Sequence, residues 1–324
     1  MNTVATLFTG FDLFGMGAEQ AGYTPVFGID NNQDAVDFCT RNGNKHVVMG
    51  DVRSHDYSNI RTGHVHFSPE CKSFSYANTG GQESKRDLQF ARSIVRAIAE
   101  TEPTTISIEN VSGYLNPECE SFHQIVLPYL ADNYFYWGGI YCSADFGVPQ
   151  TRKRLIVRAI RKDQGRMLKP LMPTHSNNPE SGLLPWVSWY DAIADVIRDL
   201  KPSELTNWQK TSLAEQGFDI GGQTCLISKD GSRKKKGYDN LFALVIPQDL
   251  PVPTIKALGH SGHSQQYTIV IDGEVFRIST EALANWQTMP LNLEFIDKDD
   301  VNCIGIGNGV PCLFAQRIME SLQP

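Results

Sequence analysis

Two side chains that could carry out covalent chemistry follow two short apolar stretches of this sequence. Cys71 comes directly after the run His64-Val-His-Phe-Ser-Pro-Glu, and Glu109 comes directly after the apolar residues 104–108. A cysteine thiolate is a strong nucleophile, and a carboxyl group can give a proton or a hydrogen bond to the molecule under attack. Because apolar runs of this length are typical of buried strands, the two side chains indicate covalent catalysis at the edge of a sheet.

A single cysteine is more often a small buried hydrophobic residue than a nucleophile. A catalytic role for Cys71 therefore needs support from other residues of the chain. Downstream, the segment Gln150-Thr-Arg-Lys-Arg154 places two arginines two positions apart. This spacing puts both arginines on one face of a strand. They could line the same pocket as Cys71, or they could belong to an exposed edge strand.

The composition is that of a soluble protein with enough apolar residues for a large domain and a smaller one. The chain has 324 residues, 41% of them hydrophobic, without a membrane-length apolar run or a signal-peptide pattern. Its seven cysteines include no Cys-x-x-Cys pair, which argues against a disulfide framework or a zinc site. We therefore expect a cytoplasmic protein that holds no metal.

The overall charge does not favour binding to nucleic acid. The net charge is −7 at pH 7, whereas affinity for DNA rests largely on the neutralisation of phosphates. Contact with DNA therefore requires a local basic surface. Two stretches could supply it, residues 152–162 and the run Arg233-Lys234-Lys235-Lys236. The second stretch could equally be a solvated loop.

Strand and helix patterns alternate in the first half of the chain. Strand patterns occur at residues 3–9, 23–29, 47–49, 65–68, 104–108, 134–144 and 154–160. Helical patterns occur at residues 10–22, 33–42, 87–100 and 120–131, and later at 189–200, 277–286 and 311–322. The alternation predicts a doubly wound parallel sheet. Residues 201–250 lack a clean period, which indicates a small, loop-rich segment.

The first turn and two strand ends have the features of a site for an adenosyl group. The segment Phe8-Thr-Gly-Phe-Asp-Leu-Phe-Gly15 places glycines between a strand and a helix, where a ligand can approach the backbone. Asp30 could accept hydrogen bonds from ribose hydroxyls, and Asp51 could accept one from an adenine amino group. Either aspartate alone could instead cap a helix or turn. The turn lacks the G-x-G-x-x-G pattern, which disfavours a dehydrogenase.

Several motifs follow one another in a fixed order along the chain. They are the turn at residues 8–15, Pro69-Glu-Cys71, Glu109-Asn-Val111, Gln150-Thr-Arg-Lys-Arg154, residues 276–290 and Gly307-Asn-Gly-Val310. In this order the sequence resembles the DNA (cytosine-5) methyltransferases, in the compact form found in bacteria and phages. The resemblance runs from about residue 6 to residue 317 and is interrupted mainly at residues 201–250.

The resemblance implies a fold, a cofactor and a reaction. The fold would be a doubly wound mixed α/β sheet of the Rossmann-like type with a small, loop-rich target-recognition domain. Residues 1–185 would form the catalytic and cofactor-binding domain, residues 186–285 the recognition domain, and residues 286–324 a return to the first domain. The reaction would transfer a methyl group from S-adenosyl-L-methionine to carbon 5 of a flipped cytosine, through an adduct with Cys71, and release S-adenosyl-L-homocysteine.

The resemblance also assigns roles to individual positions. The residues expected to act in the reaction are Cys71, Glu109, Arg152 and Arg154, with Glu109 holding ring nitrogen 3 of the cytosine. The residues expected to contact the cofactor are Phe8, Gly10, Phe11, Asp12, Leu13, Asp30, Asn31, Asp51, Val52, Pro69, Leu88, Asn308 and Val310. The residues expected to contact the DNA are Glu70, Ser73, Asn110, Gln150, Arg233, Lys234, Lys235 and Lys236.

The chain departs from the family pattern at three places. It has Asp12-Leu13 where the family has two glycines, which would put larger side chains near the methionine end of the cofactor. It has Glu70 where the family has proline before the cysteine, and a neighbouring carboxylate disfavours a thiolate. We expect Glu70 to contact the target base, the cofactor or Lys72. The third departure is the absence of the family's arginines at Glu281 and Asn285.

The expected partner is double-stranded DNA, and we expect a monomer without contact to a membrane. A bacterial or phage-encoded enzyme of this kind could act beside a cognate restriction endonuclease. Two other functions stay open from the sequence. One is a tRNA cytosine-5 methyltransferase, which would share the fold and the cysteine chemistry. The other is a catalytically silent methyltransferase-like regulator that binds DNA.

Overall fold

A computed structural model describes most of the chain. The described residues are 2–70, 83–229, 242–259 and 266–324. Cys71, Ser73 and the basic run Arg233-Lys234-Lys235-Lys236 lie outside them, and so does Lys72. Their roles stay predictions from the sequence.

A seven-stranded mixed sheet forms the centre of the described structure, as the family resemblance implied, whereas the alternation of strands and helices predicted parallel strands throughout. Its strands are β1 Thr3–Leu7, β2 Thr24–Asp30, β3 Val47–Met49, β4 His64–Phe67, β5 Thr105–Asn110, β6 Tyr134–Cys142 and β8 Lys153–Arg161. Their order across the sheet is β3-β2-β1-β4-β5-β8-β6. The short β7, Gln150–Thr151, pairs instead with β13, Val252–Pro253.

The direction of the strands brings distant parts of the chain to one edge. Strands β1 to β5 are parallel, whereas β8 runs antiparallel to β5 and β6. The carboxyl ends of the first five strands and the amino end of β8 therefore lie at the same edge. Between β1 and β4 the strand order reverses, and ligands of open α/β sheets usually bind outside such a reversal.

Helices accompany the strands, and some of them begin at recognisable capping residues. They are α1 Leu13–Gln20, α2 Gln33–Arg41, α3 Lys85–Thr101, α4 Leu127–Asn133, α5 Asn207–Glu215, α6 Thr280–Trp286, α7 Asp299–Asn308 and α8 Cys312–Glu320. Ser84 and Asp87 form a capping box at the start of α3, and Asn32 caps α2. Within the described ranges, none of the helices has the length and apolar character needed to cross a membrane.

A second sheet begins in the segment without a clear period, residues 201–250, and continues beyond it. Its strands are β11 Cys225–Lys229, β12 Ala243–Pro247, β14 Tyr267–Ile271 and β15 Glu274–Arg277, in the order β12-β11-β14-β15, all antiparallel. Two further short strands, β9 His175–Ser176 and β10 Leu184–Pro185, pair with each other. Helix α5 contributes Leu213 to a small core with Ile227 and Val270 of this sheet.

Two helix predictions need correction. Residues 189–200 form two 3₁₀ turns, Asp191–Ile193 and Ile197–Asp199, because their amides bond three residues back, as from Val196 to Ile193. The apolar residues at helical spacing still pack into the core, since Trp189, Ile193 and Leu200 are buried. The helix expected at 277–286 begins only at Thr280, because Arg277 pairs with Thr268 as the last residue of β15.

Two histidines of β4 are buried in a polar network beneath the sheet edge. His64 contacts the hydroxyls of Thr105 and Ser107 at 2.9 Å each, and His66 contacts those of Ser107 and Ser68 at 2.7 and 2.6 Å. Burial lowers the pKa of His64 to about 3, and it lowers the pKa of His66 well below the usual 6.5. Both rings are therefore neutral in the folded protein near neutral pH.

Lowering the pH is expected to destabilise the fold through this pair. In the unfolded chain each histidine takes up a proton near pH 6.5, whereas the folded protein does not, so the free energy of unfolding falls as the pH drops below that value. The expected slope is about 1.4 kcal/mol per pH unit for each histidine. Urea unfolding between about pH 8 and pH 5 measures it. In a His66→Asn variant the contribution of that ring should vanish, and an unchanged slope would contradict the assignment.

Candidate functional site

The edge formed by the strand ends collects most of the residues selected from the sequence. The turn after β1, Asp30 at the end of β2 and Asp51 beyond β3 lie on one side of the strand reversal. Pro69 and Glu70 after β4 and Glu109 on β5 lie on the other side, together with Arg154 at the start of β8. Residues far apart in sequence thus form two neighbouring halves of one site.

The turn after β1 has an unusual backbone. Phe8, Gly10 and Asp12 all adopt left-handed conformations, with φ of 60°, 55° and 58°. For a residue other than glycine this costs on the order of 1–3 kcal/mol, and such strain is common where a ligand binds. A Cβ atom placed on Gly10 would meet no atom within 4 Å. The space over Gly10 is therefore open to a ligand.

Asp30 connects this turn to the end of β2. One carboxylate oxygen accepts from the Gly10 amide at 2.8 Å, and the other accepts from the Asn32 amide at 2.9 Å. Burial raises the pKa of Asp30 above its usual value, while these amide hydrogen bonds oppose the rise and Glu70 adds to it. The carboxylate thus lies beside the open space above the turn. Asn31, next to it, is exposed.

Asp51 lies in a second group of charged and aromatic side chains. It binds Arg53 through both oxygens, at 3.0 and 2.6 Å. The guanidinium groups of Arg53 and Arg86 lie 6.0 and 5.1 Å from the ring centroid of Phe90. The ring of Phe8 meets that of Phe90 edge to face at 4.9 Å. These two arginines and Phe90 carry no signal in the sequence, because only the fold brings α3 beside the ends of β1 and β3.

The other expected cofactor positions differ in exposure. Val52, Pro69 and Val310 are buried, Leu88 on α3 is half-buried, and Asn308 at the end of α7 is exposed. Phe11 is buried and stacks on Phe38 with ring centroids 4.0 Å apart. These positions can line a site mainly through backbone atoms or small parts of their side chains.

The side chains of Asp12 and Leu13 turn into the protein. Leu13 is 2% exposed and belongs to the core that also holds Phe11 and Phe38. The carboxylate of Asp12 accepts from Thr6 Oγ1 at 3.0 Å and lies 2.9 Å from His46 Nε2. Both larger side chains are thus buried beneath the turn, and their expected place near the methionine end of the cofactor stays a prediction.

Glu109 and Arg154 form an ion pair at the other half of the edge. The Nε atom of Arg154 lies 3.0 Å from Oε1 of Glu109, and their side chains are only 18% and 8% exposed. Glu109 belongs to β5 and faces Ile156 of β8 in register, so the pair depends on the antiparallel pairing of these strands. A carboxylate held in this way presents a fixed group toward a bound base.

The segment that leads to Cys71 is anchored on both sides. The side-chain amide of Asn110 donates to the carbonyl oxygen of Pro69 at 3.2 Å. Glu70 lies 3.3 Å from a guanidinium nitrogen of Arg86, with both side chains partly exposed. Glu70 was expected to contact the base, the cofactor or Lys72, and in the described structure Arg86 supplies an ionic partner that the sequence did not indicate.

Arg152 and Gln150 form hydrogen bonds with other parts of the chain than this pair, and a pocket shared by the two arginines stays a prediction. Arg152 is 3% exposed and donates to the carbonyl oxygens of Ile255, Gly307 and Asn308 at 3.0, 3.1 and 3.4 Å. The amide of Gln150, fully buried, accepts from the Ile255 amide and donates to Gln287. The reason is a break between β7 and β8 at residue 152, which ends the simple alternation of a single strand. Both side chains brace the segments around the site.

The arrangement suits an adenosyl cofactor on one side and a small planar substrate on the other. Two carboxylates and open space above a glycine match ribose hydroxyls, an adenine amino group and a close backbone approach. In the part of the chain that the structure describes, no group of three or more His, Cys, Asp or Glu residues could hold a metal ion.

Comparison with known proteins places this geometry in a family. Residues 2–324 match the family described as C-5 cytosine-specific DNA methylase. Type II methyltransferase M.NgoFVII of Neisseria gonorrhoeae is 26% identical over 327 residues, which cover 99% of this chain and 86% of that protein. Type II methyltransferase M.BspRI of Lysinibacillus sphaericus is 24% identical over 341 residues, covering 97% of this chain and 73% of that protein.

A solved structure supports the fold. A protein described as a DNA modification methyltransferase encoded within an E. coli prophage superimposes with a TM-score of 0.70 and 16% identity. The superposition covers 99% of this chain and 98% of that chain. The mixed Rossmann-like sheet expected from the sequence is thereby confirmed.

Proposed function

This chain belongs to the C-5 cytosine-specific DNA methylase family and is a DNA cytosine methyltransferase, and from this premise we propose how its own residues carry out the reaction. The observation that supports the proposal most is the Glu109–Arg154 ion pair, because it lies at the same strand edge as Pro69 and Glu70. Cys71 follows those two residues in sequence. A nucleophile and a fixed carboxylate would thus face one substrate.

Enzymes of this family use S-adenosylmethionine, and the open side of the β1 turn fits it. When bound, this cofactor supplies an electrophilic methyl group and becomes S-adenosylhomocysteine. Asp30 would accept from the ribose hydroxyls, Asp51 would accept from the adenine amino group, and Phe8 would contact the adenosyl group beside Phe90. Asp51 exchanges its bond to Arg53 for this contact, at little cost because the pair is exposed.

Cys71 would begin the reaction on the cytosine. Its thiolate adds to carbon 6, which gives carbon 5 the electron density needed to take a methyl group. Glu109 would first take up a proton, because a carboxylate can only accept, and would then give that proton or a hydrogen bond to ring nitrogen 3 and stabilise the charge that develops in the ring. Transfer of the carbon 5 proton to a base such as water would then release the Cys71 thiolate and restore the aromatic ring.

Arg154 would act together with Glu109. Its guanidinium group holds the carboxylate at 3.0 Å and leaves other N–H groups for the cytosine carbonyl or a nearby phosphate. We assign Arg152 and Gln150 a bracing role, since their polar groups contact other parts of the protein.

Double-stranded DNA is the proposed substrate, and the target cytosine must leave the base stack to reach Cys71. Flipping a base costs a few kcal/mol, which contacts to the surrounding strand must offset. Residues 186–285, with the basic run Arg233-Lys234-Lys235-Lys236, are proposed to make them. The Type II relatives favour DNA over tRNA and an active enzyme over a silent regulator. We propose a cytoplasmic monomer with a cognate restriction endonuclease.

Incubation with radiolabelled S-adenosylmethionine tests the substrate directly. We expect methyl transfer to genomic duplex DNA and not to tRNA, and sequencing of modified cytosines should reveal one short target site. Transfer to tRNA alone would replace the proposed substrate. A protein that binds DNA without transferring methyl groups would instead support the regulator.

Replacement of Asp30 by alanine is expected to weaken cofactor binding. The change removes the proposed ribose contact and the two amide hydrogen bonds that hold the turn, so the KM for S-adenosylmethionine should rise about 10- to 100-fold with a smaller change in kcat. Steady-state kinetics with saturating DNA measure both constants. Asp34→Ala is the matched control, because Asp34 binds Lys298 on the surface. Equal effects of the two changes would contradict the assignment.

A further inference from the structure

A hydrogen-bonded pair formed by an aspartate and a histidine lies beneath the turn that we assign to the cofactor. Asp12, in that turn, is 1% exposed, and its carboxylate lies 2.9 Å from Nε2 of His46. His46 precedes β3, two strands away from β1 in the sheet. Since a carboxylate can only accept, the ring N–H of His46 is the donor.

The pair passes over β2 at a position where there is room for it. Gly28 of β2 stands in register with Thr6 on one side and Val47 on the other. A Cβ atom at Gly28 would lie 3.1 Å from Thr6 Oγ1 and 2.9 Å from Val47 Cγ2. A larger residue there would displace the side chains of Thr6 and Val47, which lie next to the two members of the pair.

Hydrogen bonds connect Asp12 to the rest of the turn. Its other carboxylate oxygen accepts from Thr6 Oγ1 at 3.0 Å, and its amide donates to the Thr9 carbonyl at 3.0 Å. Thr9 Oγ1 in turn donates to the Thr6 carbonyl at 2.7 Å and accepts from the Ile29 amide at 2.9 Å. A continuous hydrogen-bond network therefore runs from His46 through Asp12 to β1 and β2, the two strands beside Gly10.

Asp12 needs such support because of its backbone. It adopts φ 58° and ψ 32°, a region in which glycine is the usual residue. Its carboxylate is also buried, which is unfavourable unless the charge is paired and hydrogen-bonded. His46 donates a hydrogen bond to the buried carboxylate. The hydrogen bonds of Thr6 and Thr9 hold the backbone of Asp12 in its left-handed conformation.

We propose that His46 is a positioning residue for S-adenosylmethionine, which acts through Asp12 by holding the turn of residues 8–13 in its binding conformation. The inference rests on the proposed cofactor site. It implies that Asp12, one of the two residues that stand where the family has glycines, works with a histidine that precedes β3. The affinity for the cofactor then depends on a side chain outside the turn.

The test is a double-mutant cycle on the full chain, with S-adenosylhomocysteine binding measured by calorimetry. His46→Ala is expected to raise the dissociation constant about tenfold, because it removes one of the two side-chain donors to a buried carboxylate. The KM for S-adenosylmethionine should rise in parallel, while kcat at saturating cofactor stays within about twofold. His46→Gln, which can still donate to Asp12, should restore most of the affinity.

Asp12→Gly provides the background that separates positioning from general destabilisation. Glycine suits the left-handed backbone and needs no donor, so His46→Ala should have no further effect on binding in this variant. His175→Ala, at another half-buried histidine, is the control and should bind as the wild type does. Two results would overturn this inference and leave the proposed cofactor site intact. One is wild-type affinity in His46→Ala, and the other is the same tenfold loss in the Asp12→Gly background. Absence of binding by the wild-type protein would overturn the proposed cofactor site together with it.

Discussion

Replacement of Cys71 by alanine is expected to abolish methyl transfer to DNA. Without the thiolate the ring cannot be activated at carbon 6, so kcat should fall by about 10⁴-fold or more, as is usual when a covalent nucleophile is removed. Binding of S-adenosylhomocysteine should persist, because the cofactor half of the site lies on other strands. Steady-state assays with labelled cofactor and calorimetry measure the two effects.

Covalent trapping identifies the same residue by chemistry. Duplex DNA with 5-fluorocytosine at the target site should form a stable adduct with the wild-type protein, because fluorine at carbon 5 cannot leave as a proton does. Cys71→Ala should form no adduct. Cys225→Ala, at a buried cysteine of β11, is the matched control and should be trapped normally. Residual methyl transfer by Cys71→Ala at a tenth of the normal rate or more would exclude the proposed nucleophile.

Replacement of Glu109 by alanine is expected to have the second largest effect. It removes the group that holds ring nitrogen 3 and leaves Arg154, only 18% exposed, without its carboxylate partner. We expect a fall in kcat of about 10³-fold, within the range for a positioned general acid. Glu109→Gln should recover part of the rate, because its amide can donate a hydrogen bond though it cannot transfer a proton.

Single-turnover rates with preformed complexes measure this effect without interference from product release. Glu118→Ala changes an exposed glutamate a few residues beyond β5 and should leave the rate unchanged. If Glu109→Ala retained the normal rate at saturating DNA and cofactor, Glu109 would have no part in the chemistry. A weaker binding of S-adenosylhomocysteine would instead indicate that the change distorts the sheet edge.

Much of the framework could be read from local patterns. The strand ends at Asp30 and Glu109 follow from apolar runs with clear limits, and the helix expected at residues 87–100 lies within α3, Lys85–Thr101. Parallel strands bring such ends to one edge whatever the details of packing. The motif order then sufficed to predict the family, which the match over residues 2–324 confirms.

The partners of these residues could not be read in the same way. The pairing of Arg154 with Glu109 requires that β8 insert antiparallel beside β5, and the period of a strand does not specify its neighbour. The hydrogen-bond partners of Arg152 could not be predicted for a similar reason. The break after β7 turns Arg152 toward the carbonyls of residues 255 and 307, which are distant in sequence.

The sequence by itself determined the elements, the edge at which their polar ends meet and the family of the reaction. These follow from short-range periodicity and from residue types that suit one chemistry. The tertiary structure alone decided that Asp12 turns inward to His46, that Glu70 faces Arg86 and that a second sheet forms beyond residue 201. Such contacts depend on strand order, register and burial, which arise from the packing of distant segments and leave no periodic trace in the chain.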